Sequence, residues 1–342
     1  MNPDPAGILI LFNQPLAGGT AAFSESDAGV LREVEAVETA LRAHGRAVRR
    51  AGLRRLRDIP AALDAGRETV VFNLVERLDD SETACNFVPA VCETMGRACT
   101  GGSSESLCLT LDKGLTKSRL RDWGVSVAEG AVLPPDAPID PLRLPPFPLL
   151  VKPVSAGGSE GIDAARSIVR NRADLDRAAA WIHRQFGQPA LAEPFLEGRE
   201  FNLSLIERDG RVETLPISEV EFSRFPPERP AIMDYAAKWI PGTLPGCVSP
   251  RRVPAQVEPA LAARLTGEAE RAWRACGCRD YARIDFRADL HNRPYVLDVN
   301  VNPDIEPLAG LPASLQAAGI PFDQFVWAVV ENARRRGAAT AD

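Results

Sequence analysis

Two short segments in the last fifth of the chain concentrate side chains that could do chemistry. In Tyr281-Ala282-Arg283-Ile284-Asp285-Phe286, strand alternation puts Arg283 and Asp285 on one face and Ile284 and Phe286 on the other. In Tyr295-Val296-Leu297-Asp298-Val299-Asn300-Val301-Asn302, the residues Asp298, Asn300 and Asn302 share a face. The stretch between them, Asp289-Leu290-His291-Asn292-Arg293, is short and polar, which predicts a hairpin. With His291 and Asn292 at the loop centre, Asp285 stands opposite Asp298 and Arg283 opposite Asn300, with Cβ atoms about 4.5–5.5 Å apart. Facing carboxylates repel and call for a cation. Two carboxylates and an amide oxygen are hard ligands that suit Mg²⁺, an ion that often keeps substrate phosphates in its shell. The plainer alternative is a solvated polar face on a surface hairpin.

Lysine usage adds a second signal. Of the 40 basic residues only Lys113, Lys117, Lys152 and Lys238 are lysines. In a chain that uses arginine by default, a retained ammonium suits a compact point charge on a phosphate. Lys152 ends an apolar run and enters Pro153-Val154-Ser155-Ala156-Gly157-Gly158-Ser159-Glu160-Gly161, whose backbone N–H groups could close on phosphates. The Walker A spacing is absent. Lys152→Arg is therefore expected to weaken nucleotide binding, whereas Lys117→Arg, off the motif, is expected to be nearly silent. In Leu191-Ala192-Glu193-Pro194-Phe195-Leu196-Glu197-Gly198-Arg199-Glu200-Phe201, an acid, an apolar pair and a second acid could line a nucleoside site, with Glu200 accepting from ribose hydroxyls. Solvated acids at a strand end are the alternative there.

These segments need elements to position them. Residues 7–13 read as a buried strand running into a polar loop that contains Gly18-Gly19-Thr20. A helix follows with Val30, Val34, Val37 and Leu41 on one face and Gly45 just past its end. Residues 47–51 and 69–75 are further strands, and 82–95 is helical. The alternation predicts a parallel, Rossmann-like sheet, with ligands beyond the strand ends at 13–20 and 73–80. Cys85, Cys92 and Cys99, spaced by seven, suit one buried helix face as small core hydrophobes. Thr100-Gly101-Gly102-Ser103-Ser104 reads as a boundary. A helix over 112–123, a proline-rich loop over 134–148 and strands at 149–152 and 162–169 follow, then a helix over 173–186. Strands at 200–206 and 212–222, a helix over 258–276 and a closing helix over 325–335 complete the pattern. The fold class is α/β, with α+β character in the C-terminal part. The expected domains are 1–100, 101–190 and 191–342.

Composition sets limits on this reading. A length of 342 residues suggests about two or three domains, and 45% hydrophobic with 25% charged residues is an ordinary globular balance. No apolar run approaches the roughly 18–20 residues of a membrane span, and no signal peptide is visible at the start. The net charge of −6 offers no overall basic footprint for nucleic acid. Seven cysteines are read as reduced thiols of a cytoplasmic chain, Cys276-Gly277-Cys278 is too close for a zinc knuckle, and His44, His183 and His291 lack metal-ligand spacing. No Ser-His-Asp pattern is legible.

Taken together, the motifs resemble the ATP-grasp enzymes, in their D-alanine–D-alanine ligase-like branch, over about residues 7–330. The resemblance implies an ATP-grasp fold and an N-terminal Rossmann-like domain. It implies Lys113, Lys152 and Lys238 at phosphates, Ser159 in the glycine-rich loop, Glu193, Phe195 and Leu196 at the adenine, and Glu200 at the ribose. It also implies Arg283 at the reaction's oxyanion and Asp285, Asp298 and Asn300 as ligands of two Mg²⁺ ions, for which Mn²⁺ can substitute. Arg283, Lys152 and Lys238 are then the catalytic set. The implied activity is ATP-dependent joining of a small-molecule carboxylate to an amine through an acyl phosphate, with a homodimer as an open option and no nucleic-acid or membrane partner. The alternatives are a D-alanine–D-alanine ligase proper, an ATP-binding regulatory or scaffold protein, and a kinase that stops at the phosphorylated product. The chain departs from the family pattern at Gly158 (a serine), Trp239 (a tyrosine), Asp298 (a glutamate) and Asp304 (a glycine). Asp304 and Glu306 would repel a free carboxylate, so the expected acceptor carries extra positive charge or lacks a carboxylate.

Overall fold

The computed structural model describes residues 7–15, 24–79, 81, 83–240, 242–243 and 250–339, with side chains from 29 onward in the first helix. Residues 16–20, Asp80 and Glu82 of the expected loop sites and helix lie outside the described residues, as does Cys247.

The first layer is the expected parallel sheet. The strands β1 (Ile8–Asn13), β2 (Val48–Leu53), β3 (Val70–Leu74) and β4 (Ala98–Cys99) are ordered β2-β1-β3-β4, interleaved with helices α1 (Ser24–Ala43), α2 (Ile59–Asp64) and α3 (Val88–Thr94). β1 and β3 are buried along their whole length, which is why they read as unbroken apolar runs. The cysteine expectation is corrected in form. Cys85 lies in a 3₁₀ turn, Cys92 on α3 and Cys99 on β4, because Gly96, at φ +72°, ends the helix between the last two. All three are buried in one core, as small hydrophobes would be.

The helices α4 (Ser104–Leu111) and α5 (Lys113–Asp122) come next, then β5 (Ala131–Leu133), β6 (Leu149–Pro153), β7 (Ile168–Val169), α6 (Arg172–Phe186) and β8 (Ala190–Pro194). The strand order is β5-β8-β6-β7. α6 covers this sheet with Leu175, Ala178, Ala179 and Ile182. It is capped by the Asn171 side chain at its start and by left-handed Gly187 at its end. Because β8 pairs with β6, sheet membership carries the middle unit to Pro194. Only Ile168–Val169 of the expected 162–169 strand is extended.

The third sheet holds β9 (Glu200–Arg208), β10 (Arg211–Thr214), β11 (Ser218–Val220), β12 (Arg251–Arg252), β13 (Tyr281–Ala288) and β14 (Pro294–Asn300). Its order is β12-β11-β9-β13-β14, with β10 on β9. The short helix α7 (Tyr235–Trp239) starts with Tyr235 N–H on the Ile162 carbonyl, beside the loop after β6, and α8 (Pro259–Ala275) packs Leu265, Ala269 and Ala272 against the sheet's apolar face. The last helices, α9 (Gly310–Ala317) and α10 (Phe322–Ala339), cross back to the first sheet. There Phe325, Val326, Val329 and Val330 join the core of Ile8, Ile10 and Phe72, each such burial stabilising by about 1.5–3 kcal/mol. The C-terminal segment and the N-terminal layer thus share one core. The boundary read at Gly101-Gly102 is buried, with Gly101 N–H on the Asp280 carboxylate and Gly102 N–H on the Val301 carbonyl.

Candidate active site

The β13–β14 hairpin forms, with Asp285 opposite Asp298 and Arg283 opposite Asn300. It reaches that register by another route than a symmetric loop. Phe286 faces Val296 and Asp285 faces Asp298, so Leu297 is an extra, bulged residue. Without the bulge the next partner of Asp285 along β14 would be Leu297, and the acids would not meet. The Arg283 guanidinium lies on the Asp285 carboxylate at 2.8 and 3.0 Å, supplying the cation that the acids require. Asp285 also accepts from the Asn202 amide at 2.7 Å and the Asn300 amide at 3.1 Å. Burial alone would lower the Arg283 pKa; Asp285, with Asp304 and Asp298 behind it, holds it above the ordinary value.

Helix caps place two of the lysines. The Asp112 side chain accepts from Leu115 N–H, starting α5 so that Lys113 is its first residue. Its Nζ donates to the Ala156 carbonyl of the glycine-rich loop at 2.6 Å. Asp234 caps α7 by accepting from Ala237 N–H, which sets Lys238 in the last turn. Burial, followed by Arg283, pulls the Lys238 pKa below its ordinary value, while Asp304 and Asp285 oppose this.

Lys152, on β6, bonds the Glu193 carboxylate on β8 at 2.6 Å, and Lys117 bonds the other oxygen at 2.7 Å. Glu193 is 1% exposed. Burial would raise its pKa, but the Lys117 and Lys152 ammoniums outweigh burial and hold it at about 2. Lys117 itself is pushed down by burial and by Lys152, against the pull of Glu193. Lys117 is therefore held against a residue of the cavity wall from behind, and a substitution there is expected to disturb that buried pair. It lies one helical turn beyond Lys113, an i, i+4 relation that marks both for the same face.

The glycine-rich loop is tied on several sides. Gly158, Ser159 and Gly161 have φ of +56°, +64° and +77°, and a Cβ on Gly161 would lie 2.3 Å from Pro153 Cγ. The Ser159 hydroxyl donates to the Met233 carbonyl at 2.8 Å, and Arg77 reaches Glu160 at 2.8 Å. The Trp239 indole donates to the Gly158 carbonyl at 2.7 Å. Two of the residues that depart from the family pattern thus contact each other.

Phe195 N–H bonds the Pro148 carbonyl, and the Leu196 carbonyl accepts from Arg287 at 2.8 Å. Arg287 also pairs with Glu200 at 2.9 Å. Burial raises the Glu200 pKa, partly offset by Arg287. Arg287 and Asn202 went unremarked in the sequence, although Arg287 alternates with Arg283 and Asp285 on one strand face, and Asn202 with Glu200 on another. Asp304 accepts from Glu306 N–H, and the Glu306 carboxylate is taken by Arg32 at 2.6 Å. One cavity of about 450 Å³ is lined by all of the expected residues: Lys113, Lys152, Lys238, Ser159, Glu193, Phe195, Leu196, Glu200, Arg283, Asp285, Asp298, Asn300, Asp304 and Glu306.

A cavity between an antiparallel sheet carrying paired acids and a second sheet carrying a lysine and a glycine-rich loop defines an ATP-grasp protein. The solved structure of D-alanine–D-alanine ligase from Bacillus anthracis, complexed with ATP, shares this fold at TM-score 0.77, with 18% identity, covering 98% of this chain and 100% of that one. Residues 143–331, more than half of the chain, match the family described as D-ala D-ala ligase C-terminus. The chain is 32% identical over 279 residues to the D-alanine–D-alanine ligase of Acidiphilium cryptum, covering 81% of this chain and 83% of that protein. It is also 32% identical over 268 residues to an uncharacterized protein, y4sG, of Sinorhizobium fredii, covering 78% and 75%. The chain belongs to the D-alanine–D-alanine ligase family, a family of ATP-dependent ligases. Among the described residues, no helix is long and apolar enough to cross a membrane.

Proposed function

We propose that the chain activates a small-molecule carboxylate with ATP and joins it to an amine. The observation that carries this reading is the cross-strand Asp285–Asp298 pair, with Arg283 on the Asp285 carboxylate, in the same cavity as Lys152 and Glu200. Glu200 is set to accept from the ribose, and the backbone at Glu193, Phe195 and Leu196 to meet the base. Lys113, Lys152 and Lys238 offset phosphate charge from three directions. Lys152 exchanges part of its bond to Glu193 for the nucleotide, and Lys117 keeps the carboxylate compensated when it does. Asp285, Asp298 and Asn300 offer hard oxygen donors and would hold Mg²⁺, which neutralises phosphate oxygens when bound.

A carboxylate oxygen attacks the γ-phosphorus as the bond to the β–γ bridging oxygen breaks, giving an acyl phosphate and ADP. The amine lone pair then attacks the acyl carbon, and the tetrahedral intermediate carries its negative charge beside Arg283. Collapse expels phosphate, and the nitrogen loses a proton to leave an amide.

The curated relatives favour a second reading, D-alanine–D-alanine ligation itself. A coupled ADP-release screen over carboxylates and amines, supplied singly and in pairs, tests both. Pair-dependent ADP release supports the ligase, and release with D-alanine alone supports the second reading. ATP binding without ADP release from any pair would leave a regulatory ATP-binding role. ADP formed with a carboxylate but no amine dependence would indicate a kinase.

A further inference from the structure

The turn that follows β8 lies directly on β13. A Cβ on Gly198 would stand 2.4 Å from the Ala288 carbonyl oxygen and 2.7 Å from that of Asp289, and Ala288 N–H bonds the Arg199 carbonyl at 2.8 Å. This close approach sets Arg287 opposite Glu200 in the strand register. The Arg287 guanidinium then spends its N–H groups on three separate segments. Nε donates to the Leu196 carbonyl at 2.8 Å, Nη1 to Glu200 Oε2 at 2.9 Å and Nη2 to the Ala231 carbonyl at 2.6 Å. The Phe222 ring centroid lies 4.6 Å from the guanidinium carbon, and Arg287 is 4% exposed. Leu196 and Glu200 line the cavity, and Ala231 leads into Ile232 and Met233, which line it too. One buried side chain thus ties together the segments around the nucleoside end.

We propose that Arg287 is a positioning residue for the nucleotide: it aims Glu200 at the vicinal hydroxyls of the ribose, so that the site selects a ribonucleotide over one lacking those hydroxyls. This rests on the reading above that ATP fills the cavity with Glu200 at its ribose. Arg287 takes Oε2 of Glu200 and leaves Oε1 to the ligand. A planar guanidinium held on two carbonyls fixes the direction of the carboxylate it binds, which a single ammonium would not. Burial pushes the Glu200 carboxyl up. Arg287 is the largest influence against this, ahead of Lys152, while Asp285 adds to the rise. Without Arg287 the carboxylate would lose its orientation and its main counter-charge, and with them its strength as an acceptor.

The test is calorimetric and needs no turnover. ATP and 2′,3′-dideoxy-ATP, which differ only in the ribose hydroxyls, are titrated into the full chain with Mg²⁺ and no other substrate. The parent is expected to bind ATP at least about tenfold more tightly, as hydrogen bonds to a charged group imply. Glu200→Gln and Arg287→Gln, each checked for folding by thermal melting, are expected to bring the two nucleotides within about threefold of each other, with dideoxy-ATP bound as in the parent. Arg287→Lys keeps the charge but bonds fewer partners, so its preference should fall between Arg287→Gln and the parent. The double variant Arg287→Gln/Glu200→Gln should discriminate no less than Glu200→Gln alone, because Arg287 acts through Glu200. An Arg287 that served only the fold would weaken both nucleotides alike. That result, or a parent-like preference for ATP in Arg287→Gln or Arg287→Lys, would overturn the proposal. Equal binding of the two nucleotides by the parent would remove it together with the place of Glu200 at the ribose. Full discrimination without ADP release from any carboxylate–amine pair would sink the ligase reading alone.

Discussion

Glu193→Gln probes a buried, tightly balanced charge cluster. The native carboxylate is buried with an ammonium at 2.7 Å on one oxygen and another at 2.6 Å on the other. The two ammoniums hold its pKa at about 2 against 4.5 for an ordinary glutamate. That difference corresponds to about 3 kcal/mol of folding stability. The sign follows from the lowered folded-state pKa: the contribution is complete above pH 4.5 and is lost as pH falls from 4.5 towards 2. An amide in its place keeps the shape and leaves two buried ammoniums facing each other, so the expected loss at pH 7 is about 3–5 kcal/mol. In a chain of 342 residues that is a Tm lower by roughly 4–7 °C. Lys117→Met alone should cost much less, about 1 kcal/mol, because it leaves a neutral Lys152–Glu193 pair. The double variant Glu193→Gln/Lys117→Met should therefore recover part of the single variant's loss, with a coupling above about 1 kcal/mol. Urea unfolding of the four proteins at pH 7 and pH 3 measures this. Stability of Glu193→Gln within about 0.5 kcal/mol of the parent, or strictly additive single and double variants, would refute the reasoning.

Other consequences are as direct. Asp298→Asn keeps the shape of the hairpin but removes a charge from the expected metal site, so ATP-dependent product formation at limiting Mg²⁺ should fall strongly while the melting curve stays near that of the parent. Lys152→Arg should weaken nucleotide binding in calorimetry, because the planar guanidinium does not fit a pocket built around an ammonium. Lys117→Arg should also be disruptive, and a parent-like affinity and melting temperature would show that Lys117 is not held as the structure places it. Trp239→Phe removes the indole donor to the Gly158 carbonyl and should raise the KM for ATP several-fold with little change in Tm, an effect of about 1 kcal/mol on the closed loop.

How much of this could be read in the sequence depends on how local each feature is. The buried strands β1 and β3 announced themselves as apolar runs, and the facing of α1 followed from the spacing of Val30, Val34, Val37 and Leu41. The lysine bias marked Lys113, Lys117, Lys152 and Lys238 without separating them, and strand alternation marked Arg283, Asp285 and Asp298, because residue type and two-residue periodicity are properties of the chain alone. Three features needed the tertiary structure. The bulge at Leu297, which brings Asp298 opposite Asp285, comes from the pairing of two strands and has no residue that marks it. The return of α10 onto the first sheet depends on which apolar surface is nearest in space, and the helix's own pattern shows only that some surface must cover it. The partners of Lys117 and Glu33 lie 76 and 272 positions away, at Glu193 and Ile305. Sequence fixed which groups could ionise and which faces must be buried. Only the folded chain decided which of those groups lost their water next to one another, and a charge acquires its chemistry from that neighbourhood.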